Sequence, residues 1–329
     1  MEISTNRSDI FIHVHPCYKL DMLNVLFSNP SAVCFLFHVF LSSLSAATVC
    51  GNLLVILSIA YFKQLQTPSN ALVLSLAVAD LLVGIIVFPV TIEFPLTACI
   101  FHHNVFCTVR GTFEVCLCTA SILNLCCISI DRYYAVCRPL SYKTRMNDNV
   151  VLVMILLSWT VSALVGLGLV FVGMNQANCE DCFVDKVVAN VMGLIFAFYL
   201  PVVIMLCIYL KIFAVAQKQA HSIQNATSHI RKSGGAISKM EKKATKTLAT
   251  VMGVFLICWL PFFLCTTVMS FSGAYVPLEF IEFLNWLALS NSMLNPLIYA
   301  FFYSWFRSAF RMIVSGKIVH GNFTNSKLH

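Results

Sequence analysis

Charge is what this sequence has least of. Asp, Glu, Lys and Arg make up 11% of its 329 residues, against 59% from the apolar and aromatic set. A water-soluble domain could not hide so much apolar surface behind so few charges, so the bilayer is expected to be the solvent for most of the chain. Residues 1–29 lack the basic start and short apolar core of a cleavable signal peptide. The first apolar run, near 33–62, is too long for such a core and is expected to stay as a signal anchor. No internal repeat of spans is visible, which argues against a transporter. A nucleophile–base constellation and a metal-spaced His or Cys set are also missing, the nine His being scattered, which argues against an enzyme.

What is present is a succession of seven apolar segments, near 33–62, 69–95, 104–138, 149–173, 187–217, 241–270 and 277–302. Each is long enough to cross the hydrocarbon as a helix. The expected fold is an all-α membrane protein, a seven-transmembrane bundle over 33–302. An outer N-terminus (1–32) precedes it, and an amphipathic helix with a cytoplasmic tail (303–329) follows. The length leaves no room for a second, soluble domain. In the last region Trp305 to Val314 alternates apolar residues with Arg307 and Arg311, the pattern of a helix lying on the inner leaflet. No cysteine follows it to carry a palmitoyl anchor.

The net charge of +7 is unevenly spread. All of the 21 Lys and Arg except Arg7, Lys19, Arg110 and Lys186 fall on the side of the tail and of the loops after spans one, three and five. The positive-inside rule therefore puts the N-terminus outside and the tail in the cytoplasm, and assigns the basic residues to orientation and lipid headgroups rather than nucleic acid. Glu93, Glu180, Asp181, Asp185, Glu279 and Glu282 gather at the outer mouth, where they would concentrate cations. Residues 218–240 read as a flexible polar inner loop.

Two carboxylates sit deep inside apolar spans, and a charge at that depth marks a functional site. Asp80 has polar candidates around it in other spans: Asn52, Ser121, Asn291, Ser292 and Asn295. Such oxygen-rich company suits a hydrated sodium ion or a water cluster. Glu114 lies about five turns before Asp131-Arg132-Tyr133, in the outer third of span three. No Lys or Arg sits at comparable depth in another span, so a ligand ammonium is its expected partner. Trp259, Phe262, Phe263 and Trp286 would cage that ammonium. Glu282, Asn285, Trp286 and Leu289 share one helical face by their spacing, and Glu282 would offer a second anionic point for a diamine or polyamine. Pro201, Pro261 and Pro296 are candidate hinges. Arg132, held between Asp131 and Glu241, would lock the inner ends until span six moves outward and opens a cleft for a partner helix.

Five of the 15 cysteines lie near the outside, Cys17, Cys99, Cys107, Cys179 and Cys182, and can oxidise there, with the pairing open. Asn6-Arg7-Ser8 is an outer N-glycosylation acceptor.

GNLLV at 51–55, LAVAD at 76–80, DRYYAV at 131–136, Trp159, Pro201, CWLPFF at 258–263 and NPLIY at 295–299 together resemble the rhodopsin-like G-protein-coupled receptors along nearly the whole chain. Within that class NSMLNPLIYAFFYSWFRSAF at 291–310 resembles the trace amine-associated receptors. The resemblance implies that Trp259 acts as a toggle under the ligand. It implies Ile122, Pro201 and Phe255 as a connector, Tyr209 and Tyr299 as inner activation tyrosines, and Cys107–Cys182 and Cys17–Cys179 disulfides, with Cys99 unassigned. It further implies a small cationic amine as ligand, a heterotrimeric G protein of the cAMP-raising kind as partner, and a chemosensory role at the plasma membrane. Two positions depart from the family: Glu114 stands where Asp is usual, and Leu289 where amine-sensing members usually have Tyr. The rival within the same architecture is a non-amine ligand. Gly193, Leu194 and Ala197 offer no hydroxyls for a catechol.

Overall fold

The computed structural model describes residues 30–93, 105–176, 191–226, 234–272, 276–302 and 304–316. Every regular element among them is helical. The first span is Pro30–Tyr61, and a short 3-10 turn, Lys63–Leu65, leads to the second. The second begins at Pro68–Leu82 and runs on through a π turn to Phe88–Glu93. The third is Val105–Cys137, followed by a small inner helix, Pro139–Arg145. Asp148–Gln176 is the fourth; Ile195–Tyr199, a π turn, opens into the fifth, Leu200–Ala226; the sixth is Gly234–Ser272. Among the described residues, six helices are long and apolar enough to cross a membrane. The shortest apolar stretch, 21 residues over Asp148–Gly168, covers ~30 Å at 1.5 Å per residue, the thickness of the hydrocarbon.

The seventh span departs from the single helix expected over 277–302. It is two consecutive helices, Leu278–Leu289 and Asn291–Phe302, joined at Ser290. Pro296 lies inside the second piece and has no N–H to give to the carbonyl of Ser292 four residues earlier. That carbonyl accepts instead from Asn52 Nδ2 of the first span at 3.0 Å. The expected polar loop over 218–240 is also shorter than its composition suggested, because the fifth and sixth spans carry helical backbone to Ala226 and from Gly234.

Both π turns have the same neighbour. Val83–Val87 ends two residues before Pro89, and Ile195–Tyr199 two residues before Pro201. Widening the helix there relieves the clash between each proline ring and the carbonyl four residues back. In the first case the adjoining Gly84 carbonyl accepts from Ser45 Oγ at 2.9 Å. Gly84 also lets the first two spans touch, since a Cβ there would stand 2.9 Å from Val49 Cγ2.

The third span is the hub, packed against the second, fourth and fifth. The central core joins Leu76, Leu117, Ile122, Phe198, Phe255, Trp259, Trp286 and Leu289. Outward faces carry exposed Phe35, Leu156, Leu164, Val203, Ile257 and Phe301, as expected where lipid replaces water. Thr67 caps the second span by accepting from the Asn70 N–H, with Pro68 at the first helical position. The terminal helix, Ser304–Val314, matches the expected amphipathic segment. Phe306 and Ala309 bury against the first span, while Arg307 and Arg311 are exposed. Arg307 Nη1 donates to the Ala300 and Phe301 carbonyls, both at 3.0 Å, capping the seventh span.

Candidate functional site

The outer half of the bundle holds a feature the sequence reading did not anticipate. Arg110, counted with the outer side and lying near the start of the span expected over 104–138, is in the third span and 4% exposed. Its Nη2 stands 3.2 Å from Glu114 Oε2, one helical turn below. Its Nε donates to Thr91 Oγ1 of the second span at 3.3 Å. The expectation of a Glu114 without an internal cation is therefore corrected: the partner comes from the same helix, at i, i+4 spacing. Opposite charges at that spacing offset each other's desolvation. The Glu114 side chain remains 16% exposed.

Trp286 is buried with its ring 5.6 Å from that of Phe88, one turn inward from Thr91 on the second span. Arg110 and Trp286 thus meet the second span at positions three residues apart. Among the described residues, Arg110 Nη2, Trp286 Nε1 and Trp259 Nε1 are buried donors without a hydrogen-bond acceptor. Asn285 is 4% exposed and Leu289 fully buried beside Trp286 on the expected face. Glu282 is half-buried, and Glu93 and Glu279 are exposed.

Deeper, the aromatics stack. Phe263 lies face to face with Phe198 of the fifth span at 3.9 Å and 5°. Trp259 is tilted against Phe263 at 5.8 Å, and Phe262 meets it edge-on at 5.6 Å. Phe198 continues to Phe255 at 6.2 Å. Phe263 is thus spent largely on packing, and Phe198 is the partner that sequence reading missed: within an apolar run nothing distinguishes it. Ile122, Pro201 and Phe255 are all buried in the same region.

At the centre Asp80 is completely buried. Its Oδ1 accepts from Ser121 Oγ at 2.9 Å and Ser292 Oγ at 2.8 Å, and its Oδ2 from Asn295 Nδ2 at 2.7 Å. Three of the expected neighbours converge directly. Asn52 reaches the group through the Ser292 carbonyl. Asn291 is buried with its Nδ2 unpartnered among the described residues.

On the inner side Asp131 is 1% exposed and accepts from Tyr142 Oη at 2.8 Å, from Ser69 Oγ and from Arg132 Nε at 2.9 Å. Arg132 also reaches Ser69 Oγ. Burial pushes the Tyr142 phenol above its ordinary range, so it stays protonated and donating. Tyr133 packs edge-on to Tyr134 at 5.5 Å. Tyr209 accepts from Ser129 Oγ at 3.0 Å, tying fifth span to third. Tyr299 is buried with Val55, Ile59, Ala77 and Phe306. Leu140, on the small inner helix beside this cluster, is 99% exposed. The side chains of Glu241 and Cys107, and residues Cys17, Cys99, Cys179, Cys182 and Asn6, lie outside the described residues.

The sequence profile of the seven-transmembrane receptors of the rhodopsin family matches residues 51–299. The chain is 42% identical to trace amine-associated receptor 1 of Macaca mulatta over 298 residues, 85% of this chain and 88% of that one. With trace amine-associated receptor 4 of Rattus norvegicus the identity is 41% over 314 residues, 90% of each. With trace amine-associated receptor 1 of Homo sapiens it is 41% over 298 residues, 85% of this chain and 88% of that one.

Proposed function

Starting from the fact that the chain belongs to the rhodopsin family of seven-transmembrane receptors, and within it to the trace amine-associated type, we propose that it senses a small amine whose ammonium is held by Glu114. It is a multi-pass membrane receptor and not an enzyme. The observation that carries the amine reading is a carboxylate in the outer third of the third span, half-buried yet still open to an incoming group. Arg110 approaches one of its oxygens, and a carboxylate has lone pairs for further donors. Trp259, Phe262 and Trp286 would supply ring faces for the ammonium. The half-buried Glu282 would meet the second nitrogen of a diamine or polyamine.

The signal leaves, on this reading, through a heterotrimeric G protein of the cAMP-raising kind, with the N-terminus outside and the tail in the cytoplasm. The distribution of basic residues supports that orientation. We also take the Asp80 cluster as a sodium site. Asp80, Ser121, Ser292 and Asn295 are hard oxygen donors, and the nearby Asn52 Oδ1 is buried without a partner among the described residues. Bound there, the ion would bias the bundle electrostatically toward one packing.

The test is an amine panel in a cAMP reporter assay, with Glu114→Gln beside the parent and surface expression matched. Loss of one charge-assisted hydrogen bond should weaken amine potency ~10- to 100-fold. Undiminished responses in the variant would refute the role of Glu114.

A further inference from the structure

We propose that the ligand is zwitterionic, an α-amino acid or close derivative, whose carboxylate is taken by Arg110 while its ammonium goes to Glu114. The proposal rests on the reading of Glu114 given above and adds an anion subsite to it.

Three observations carry it. The first is unused hydrogen-bonding capacity. Arg110 is 4% exposed, spends Nε on Thr91, and leaves Nη2 without an acceptor among the described residues. Its 3.2 Å approach to Glu114 satisfies charge but not hydrogen-bond geometry. A buried guanidinium donor with no acceptor is costly, and its planar fork fits a carboxylate through two parallel bonds. The second is a neighbouring donor of the same kind. Trp286 Nε1 is also buried and unpartnered among the described residues, and Trp286 packs on Phe88 one turn from the Thr91 that holds Arg110. An incoming group that satisfies both must be an acceptor, and an ammonium has no acceptor to offer.

The third is the charge balance. Arg110 and Glu114 together are neutral. A plain monoamine on Glu114 would compete with the guanidinium for one carboxylate and bring no acceptor for Arg110 Nη2. A zwitterion adds no net charge, and each of its ends meets its opposite. Residues four apart on one helix are neighbours, ~6 Å between Cβ atoms, so the two ligand charges must lie close together. The α-ammonium and α-carboxylate of an amino acid share one carbon and meet that requirement. A basic side chain would then extend toward Glu282.

The experiment uses the full-length receptor with an outer epitope tag and a G-protein activation reporter covering every Gα class. Matched pairs isolate the carboxylate: phenylalanine against phenylethylamine, and lysine against cadaverine. Phenylalanine methyl ester and N-acetylphenylalanine cap one charge each in the unmutated receptor, so that readout depends on no variant folding. The amino acids should be at least ~10-fold more potent than their amines, and each cap should abolish that advantage. Arg110→Gln should weaken amino acids ~100-fold while leaving or improving amines. Arg110→Lys should recover part of the loss. Amines outranking amino acids, with Arg110→Gln depressing both alike, would overturn the anion subsite and leave the ammonium role of Glu114 standing. Amino-acid responses indifferent to Glu114→Gln would overturn that underlying role instead. Silence toward every compound from a receptor present at the surface would overturn both.

Discussion

Asn52 Nδ2 donates at 3.0 Å to the carbonyl of Ser292, 240 residues away in sequence, and that carbonyl is available because Pro296 has no N–H to offer it. The same amide also donates to the Thr48 carbonyl at 2.9 Å. One side chain therefore closes a gap that a proline opens, and binds the first span to the seventh beside Asp80. Asn52→Leu should strand a buried carbonyl at a cost of ~1–3 kcal/mol. Thermal unfolding of the detergent-solubilised receptor should shift down by several degrees. Pro296→Ala restores a donor, so in a double-mutant cycle the two changes should be non-additive. Strict additivity would show that the amide and the proline are independent.

Much of this architecture is legible in the sequence because the bilayer imposes simple rules. Seven apolar segments suffice to place the helices, and Asp80 announces its partners because buried carboxylates demand donors. Phe198 is different: an aromatic in an apolar run carries no positional signal, and only the packing of fifth span on sixth makes it the face-to-face partner of Phe263. The seventh-span break at Ser290 leaves no mark in the apolar periodicity. Arg110 did leave a signal. Its i, i+4 spacing to Glu114 falls inside the span expected over 104–138, but the expectation for Glu114 considered cations only in other spans.

Close approach of the first two spans depends on the missing side chain at Gly84. A Cβ at that position would lie 2.9 Å from Val49 Cγ2 and 3.2 Å from Thr48 Cγ2. Gly84→Ala should cost ~1–3 kcal/mol by overpacking, read as a lower melting temperature and reduced surface expression. Val49→Ala on the same background should recover part of the loss, because it removes the nearer methyl. Failure of that rescue would point to the backbone of the π turn rather than to the methyl contact.

If sodium occupies the Asp80 cluster, raising its concentration should lower agonist potency in membrane binding experiments, and the effect should vanish in Asp80→Asn. The variant keeps the size of the side chain and removes the charge that a hard cation needs. Potassium or choline at equal ionic strength controls for screening. A sodium effect that survives Asp80→Asn, or one reproduced by choline, would remove the ion from this cluster.

Asp131 is clamped by Tyr142, Ser69 and Arg132 at once. The Tyr142 bond holds the small inner helix, and the Ser69 bond the second span, against the third. Tyr142→Phe deletes one donor without changing shape, so Arg132 should be released more readily and basal signalling should rise severalfold without ligand. Ser69→Ala should act in the same direction. Basal G-protein activation, normalised to surface receptor, is the measurement, and an unchanged baseline in both variants would mean that the cluster is structural and not a lock.

Leu140 is 99% exposed on a helix that Tyr142 ties to Asp131, which puts a bare apolar side chain next to the Asp131–Arg132 cluster. A partner docking over that cluster would find this leucine at its edge. Burying a leucine contributes ~1.5–3 kcal/mol, equivalent to ~10- to 100-fold in an association constant. Leu140→Ala should therefore weaken G-protein activation by about that factor while leaving stability and ligand binding unchanged, because the side chain is bare among the described residues. Leu140→Lys should be worse, since it asks the partner to bury a charge. Saturation binding and a G-protein dissociation assay on the same membranes separate the two effects. Full coupling by Leu140→Lys would place the partner elsewhere on the inner face.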